Sequence, residues 1–138
     1  MITAQELLSK KLKAKGYSVT KPRLVTFEAL SASPQPLTMQ ELIRRTVKEI
    51  DRASVYRSVE VLEKSGVTQR LYNGWKYKVE LSDSFQEHHH HFTCTNCGTV
   101  IPLHDQDIEK IIDNLAKDIN FEVTAHQIEI QGLCRKCR

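Results

Sequence analysis

The most specific chemistry in this chain lies in four cysteines, arranged as Cys94-Thr-Asn-Cys97 and Cys134-Arg-Lys-Cys137. A Cys-x-x-Cys turn sets two sulfurs where one ion can reach both, and two such turns complete a tetrahedron. In a reducing compartment these thiolates favour structural zinc over disulfides. The alternatives are redox-active dithiols or idle thiols. Four sulfurs close the coordination shell, so such a zinc holds the fold and does no chemistry. Four consecutive histidines, His88, His89, His90 and His91, precede the first pair. On a strand, His88 and His90 share one face while His89 and His91 share the other. One short run can therefore feed two metal sites. Imidazole suits zinc, iron(II), manganese(II) and nickel(II) alike, so the ligand type does not select the ion.

Those donors need elements to hold them. Residues 3–15 place Leu7, Leu8 and Leu12 at helical spacing among lysines, and Gly16 ends the helix. Thr20 caps a second helix that has Pro22 in its first turn and Leu24, Phe27, Ala29 and Leu30 on its apolar face. Ser33-Pro34-Gln35-Pro36 is a rigid loop. Thr38 and Glu41 form a capping box for a third helix, with Leu42, Ile43 and Val47 on its buried side. Asp51 caps a fourth helix, about 52–65, whose Val55, Val59 and Leu62 make one buried stripe. Arg57, Glu60 and Lys64 lie opposite, with Tyr56 at the flank, and Gly66 ends the helix. Asn73-Gly74 between the β-prone runs 67–72 and 75–81 predicts a hairpin. Helices followed by a hairpin in this order make a winged helix-turn-helix, and residues 82–87 read as a polar linker.

The second half predicts a strand from His88 to Cys94, a turn at Asn96-Cys97-Gly98, and a return through residues 99–103. A helix then begins at Asp105 or Asp107 and points Ile108, Ile111, Ile112, Leu115 and Ile119 inward. Residues 121–133 read as one long alternating strand, with His126, Ile128 and Ile130 on one face. So small a sheet with one helix cannot close a core, so this half is expected to dimerise. The fold class is thus α+β: a winged-helix domain over residues 1–83, then a small α/β dimerisation and metal-binding domain over 84–138.

At 138 residues the chain is too short for large enzyme folds such as an α/β barrel, which needs about 250. Apolar residues at 40 % and charged residues at 27 % permit a packed core. No apolar run approaches the ~18 residues of a membrane span, and the first residues carry no secretory signal, so the expected address is cytoplasmic. The net charge of +3 divides unevenly, with residues 1–83 at +6 and residues 84–138 at −3. A basic front half suits a polyanion; a chance fluctuation in surface charge is the alternative.

Four segments together resemble the ferric uptake regulator (Fur) family. Ala53-Ser54-Val55-Tyr56-Arg57-Ser58-Val59 resembles its recognition helix, and Thr20-Lys21-Pro22-Arg23 its N-terminal helix start. The run from His88 to Gly98 matches its histidine cluster and first cysteine pair, and the closing Cys134-x-x-Cys137 fits too. The resemblance covers roughly residues 8 to 137. It implies a dimeric, metal-responsive transcriptional regulator, a repressor that binds AT-rich inverted repeats, and not an enzyme.

The resemblance assigns Tyr56 to a thymine methyl and sets Arg57 beside it at the DNA. Ser54 suits the major groove as well; Arg52 and Lys64 suit phosphates, and Lys13 and Lys15 the minor groove, although single lysines are equally an ordinary solvated face. It also implies a metal held by His88, His90, Glu109 and His126, with His90 where an aspartate is common. A histidine among isoleucines, like His126, is otherwise more often a core residue.

A regulatory ion is implied at Glu80, His89 and His91, where it would link the two domains. The family usually adds a histidine where this chain has Pro36 and an acidic residue where it has Pro102; His104 is a nearby substitute. The expected cofactors are structural Zn(2+) and a regulatory divalent ion. Glu80 in place of aspartate, and no spare cysteine, favour Fe(2+) for that ion, with Mn(2+) its laboratory substitute; members sensing zinc, manganese or peroxide are alternatives. A redox dithiol, a catalytic zinc site and a metal-stabilised dimer that no longer senses metal are competing readings.

Overall fold

The computed structural model describes every residue from Met1 to Arg138. It divides into two compact units, Met1–Glu87 and His88–Arg138.

The first unit opens with α1 (Ala4–Ala14), capped by a reciprocal box in which Thr3 Oγ1 accepts from the Glu6 N–H and Glu6 accepts from the Thr3 N–H. α2 (Lys21–Ser31) starts at Thr20 as expected, but no side-chain bond caps it there. Thr26 is buried instead, donating its hydroxyl to the Pro22 carbonyl at 2.8 Å. α3 (Met39–Thr46) carries the expected capping box of Thr38 and Glu41. Val47, expected inside, is exposed. The helix stops at Thr46, whose buried hydroxyl bonds back to the Leu42 carbonyl.

α4 (Arg52–Lys64) is capped by Asp51, which accepts from the Ser54 N–H at 2.7 Å. Val55, Val59 and Leu62 are fully buried against Leu8, Leu12, Phe27, Leu30 and Leu42. α1 and α4 both end in a Schellman motif. Gly16 and Gly66 take positive φ of 80° and 69°, and the next residue donates back to the helix, Tyr17 to Leu12 and Val67 to Leu62, each at 2.9 Å.

The hairpin pairs β1 (Thr68–Asn73) with β2 (Lys76–Leu81). Asn73 faces Lys76, so the two-residue turn is Gly74-Trp75 and not Asn73-Gly74. Gly74 has a positive φ of 64°, which suits a turn with glycine at its first central position. Trp75 therefore sits at the tip and not in the strand. Residues 82–87, read as a linker, dock on this unit. Ser82 Oγ donates to the Gly66 carbonyl, and Phe85 meets Phe27 edge to face at 5.1 Å.

The second unit holds β3 (His90–Cys94), β4 (Val100–Leu103), α5 (Gln106–Asp118) and β5 (Glu129–Gly132), with strand order β4-β3-β5. β4 runs antiparallel to β3 and β5 parallel. The long strand expected over residues 121–133 shrinks to four residues, because only those find a partner in β3. On α5 the expected inward face is largely outward within one chain. Ile111, Leu115 and Ile119 are exposed and only Ala116 is buried, because the small sheet does not cover the helix.

Candidate metal centres

The two Cys-x-x-Cys turns bring four sulfurs together, all within 4.8 Å of one another, and no disulfide forms. Cys97 and Cys134 Sγ lie 3.7 Å apart. A tetrahedral zinc with Zn–S bonds of about 2.3 Å sets its sulfurs about 3.8 Å apart, so the cluster fits the ion. The backbone supports thiolates here. Cys97 and Cys134 N–H groups point at Cys94 Sγ at 3.5 and 3.4 Å and hold its thiol down at about 6. Thr99 lowers the Cys97 thiol. At Cys137 the Asn96 amide favours the thiolate, yet Cys134, burial and the other sulfurs outweigh it and push the thiol up to about 11. Four sulfurs crowd one point, and a dication bound there would favour the thiolate form of each.

A second set gathers His88, His90, Glu109 and His126 within the same unit. His88 and His126 Nε2 are 3.2 Å apart. Glu109 Oε1 is 2.8 Å from His90 Nε2, and Oε2 is 2.9 Å from His126 Nε2. Three imidazole nitrogens and one carboxylate thus converge, and ligands about 2.0–2.1 Å from zinc lie about 3.3 Å from each other. Desolvation opposes the Glu109 charge, but the bonds from His90 and His126 outweigh it and hold the carboxyl below its ordinary range. His126 was expected within a strand over residues 121–133; it lies outside β5, yet still reaches the cluster.

His89 and His91 turn to the other side of the strand, their ring centroids 4.7 Å apart. His91 is buried and its Nδ1 sits 2.8 Å from Glu129 Oε1. His104 lies against His89 at 5.4 Å. Pro102, paired with His91 across the ladder, offers no donor side chain. Glu129 escaped the sequence reading. It occupies the face opposite His126, Ile128 and Ile130, so the same alternation marks it as a neighbour of His89 and His91. In the first unit, Glu80 is a buried carboxylate on β2 that accepts from Gln69 Nε2 at 2.7 Å across the hairpin.

The outer face of α4 carries Tyr56, 41 % exposed, and Arg57. Arg57 leans on Ser54 Oγ at 3.4 Å. Arg52, expected to hold phosphate, places its guanidinium 5.6 Å from the Tyr56 ring centre. Lys64, also expected at phosphate, is paired with Glu60 at 2.8 Å on the surface. Lys13 and Lys15 are exposed at the end of α1. Arg23 shares a surface groove with Ser54, Arg57 and Lys64, although the sequence assigned it no contact. The basic helix start at Lys21-Pro22-Arg23 is the signal that marks it.

The sequence matches the model of the ferric uptake regulator family over residues 14–131. The ferric uptake regulation protein of Bordetella parapertussis is 35 % identical over 132 residues, spanning 92 % of this chain and 94 % of that one. The fold is shared with the Vibrio cholerae ferric uptake regulator at TM-score 0.73 and 33 % identity, covering 91 % and 98 % of the two chains. It is shared with the Helicobacter pylori regulator at TM-score 0.80 and 27 % identity, covering 96 % and 90 %; that structure reveals three functional metal binding sites.

Proposed function

This chain belongs to the ferric uptake regulator family, and we propose that it is a homodimeric, iron(II)-responsive repressor of AT-rich inverted-repeat operators. Members of the family are transcriptional regulators and not enzymes, and metal responsiveness is the shared property. The finer reading assigns residues 1–83 to DNA binding and residues 84–138 to dimerisation and metal binding. No helix is long and apolar enough to cross a membrane, and a repressor of this kind works in the cytoplasm.

In the DNA-binding half, Tyr56, Arg57 and Ser54 read the major groove, and Arg52, Lys64, Lys13 and Lys15 serve the backbone and minor groove. Dimerisation is supported by the apolar face of α5, where Ile111 and Leu115 are left exposed on one chain. Zn(2+) belongs to Cys94, Cys97, Cys134 and Cys137, where four sulfurs leave no open position. A second ion belongs to His88, His90, Glu109 and His126. The regulatory ion belongs to Glu80, His89 and His91, which come from the two halves, so holding it favours one arrangement of the recognition helices.

The observation that carries this reading is the alternation of the histidine run. His88 and His90 meet Glu109 and His126, while His89 and His91 turn away from them. One strand thus offers donors to a fixed internal cluster and a separate pair to something else. The test is selection of duplexes from a random pool under anaerobic iron(II), then titration of the selected duplex by anisotropy. Tyr56→Ala is expected to relax sequence preference and Arg57→Ala to weaken binding across sequences. Failure to enrich any duplex with iron(II), manganese(II) or zinc would refute the reading.

A second reading has its own observation. Pro102 is the ladder partner of His91 and supplies no ligand, and Pro36 is equally without one. A dimer stabilised by its metals but indifferent to them for DNA affinity is the rival that these prolines favour.

A further inference from the structure

The carboxylate of Glu129 belongs neither to the four-cysteine cluster nor to the set around Glu109, yet it is aimed at a buried ring. In the sheet of the second unit, His91 stands between Pro102 of β4 and Glu129 of β5. Proline offers that ring no acceptor, so of these two ladder neighbours only Glu129 can bond it. Its Oε1 lies 2.8 Å from His91 Nδ1. A carboxylate has no proton to give, so the hydrogen of this bond sits on Nδ1. In the neutral imidazole the lone pair is then on Nε2, which is the atom left for an ion.

Both partners are held in place. Gln127 Nε2 donates to the same Oε1 at 3.0 Å, and the parallel ladder with β3 fixes the Glu129 backbone. His91 is 1 % exposed, so its ring has no room to swing away. The His89 ring lies 4.7 Å from that of His91, and His104 lies 5.4 Å from His89. Three imidazoles beside one oriented carboxylate make a nitrogen-and-oxygen environment that suits iron(II), manganese(II) or zinc. A metal-bound histidine commonly donates its other ring N–H to a carboxylate. That bond fixes the tautomer and raises the basicity of the ligating nitrogen. At His91 the same arrangement is already assembled.

We propose that Glu129 is a positioning residue for the regulatory ion: it holds His91 with Nδ1 protonated and Nε2 as the ligating atom, and its charge strengthens that ligand. This inference rests on the assignment of the regulatory ion to His89 and His91 above and adds a residue which that assignment lacks. It also gives Pro102 a counterpart. β4 brings no donor to His91, and negative charge that favours a divalent ion comes from β5, on the other flank of the same histidine. Glu129 acts through His91, since the oxygen that meets the ring is shared between Nδ1 and Gln127.

The test uses the full chain with its cysteine-held zinc and manganese(II) as the probe, titrated by calorimetry. The site in question is the one that His91→Ala removes from the titration. In Glu129→Ala the affinity of that site should fall about 10- to 100-fold, while the zinc and the ion held with Glu109 stay. Glu129→Gln keeps an oxygen that can accept from Nδ1 but loses the charge, so its affinity should fall less than about 10-fold. Nitrogen NMR before manganese(II) is added should show the His91 proton on Nδ1 in wild type and displaced toward Nε2 in Glu129→Ala. Wild-type affinity in Glu129→Ala overturns the inference even if that variant melts lower, because Glu129 then only ties β5 to β3. A wild-type His91 proton on Nε2 also overturns it, as does equal weakening at the Glu109 cluster, which reports a general loss of fold. If wild type has no site that His91→Ala removes, the inference falls together with the assignment of the regulatory ion. If the affinities fall as expected but manganese(II) leaves duplex affinity unchanged, the inference stands and the regulatory reading falls.

Discussion

The two halves of this molecule are held together by different forces. In Met1–Glu87, thirteen buried apolar residues from the four helices, the hairpin and their connections form one cluster, and Phe85 packs against it. In His88–Arg138 the buried set is Cys94, Val100, Ala116, Thr93 and two histidines. Its apolar side chains, among them Phe92, Ile101, Leu115 and Ile119, lie largely on the surface. The first unit is stabilised by burial, which needs no cofactor. The second is too poor in core to close on its own and gathers donors where a core would be. In the function proposed above this division has a use: the half assigned to the ions would have a stability that depends on them, while the half assigned to DNA would keep its shape.

Removing one sulfur should break that contrast most severely. Cys94→Ser is expected to lose one zinc per chain and the folded structure of the second unit, because structural zinc contributes folding free energy directly. The helical signal of the first unit should remain. Elemental analysis and circular dichroism measure both halves of this expectation, and retention of full zinc with an unchanged melting profile would contradict it.

Leu62→Ala should do the reverse. The side chain is fully buried in the first unit, so its loss should cost about 2–5 kcal/mol of that unit's stability. Denaturant unfolding should show the change while the zinc content stays at the wild-type value. A parallel loss of zinc would mean that the two units do not behave as distinct bodies.

A smaller effect is expected from His126→Ala. The cluster would keep His88, His90 and Glu109, so the metal content should fall by one ion per chain at limiting metal without loss of the four-cysteine zinc. Titration with manganese(II) followed by elemental analysis reads this directly. An unchanged stoichiometry would return His126 to the role of an ordinary packed histidine.

How much of this was legible in the sequence follows the same division. The first unit is locally coded. Thr3, Thr38 and Asp51 declare helix starts, Gly16 and Gly66 declare ends, and the Val55–Val59–Leu62 stripe declares the buried face. What escaped was tertiary: the outward turn of Val47, the docking of Phe85, and the one-residue shift that puts Trp75 at the tip. Strand register depends on which neighbour pairs, and a dipeptide cannot state that.

In the second unit the cysteine spacing and histidine alternation are short-range patterns and legible as such. The extent of β5 is not, because alternation over residues 121–133 makes a strand only where β3 offers hydrogen bonds. The isoleucines of α5 are equally ambiguous. Their spacing specifies an apolar face but not whether the chain itself covers it.

On the proposed function, metal held outside the cysteines changes the affinity for DNA. The direct measurement is duplex affinity of one protein preparation in three states: iron(II)-loaded under anaerobic conditions, stripped of all but the cysteine-held zinc, and reloaded. A coupling of roughly 1–3 kcal/mol predicts about a 5- to 150-fold weaker complex when stripped, restored on reloading. The double change His89→Ala and His91→Ala should hold the protein at the weak value in all three states, with dimer and zinc intact. Pro36 and Pro102 place the expected coupling toward the lower end. Equal affinity in the stripped and loaded wild type would contradict the account and leave a zinc-stabilised DNA-binding dimer that does not sense metal.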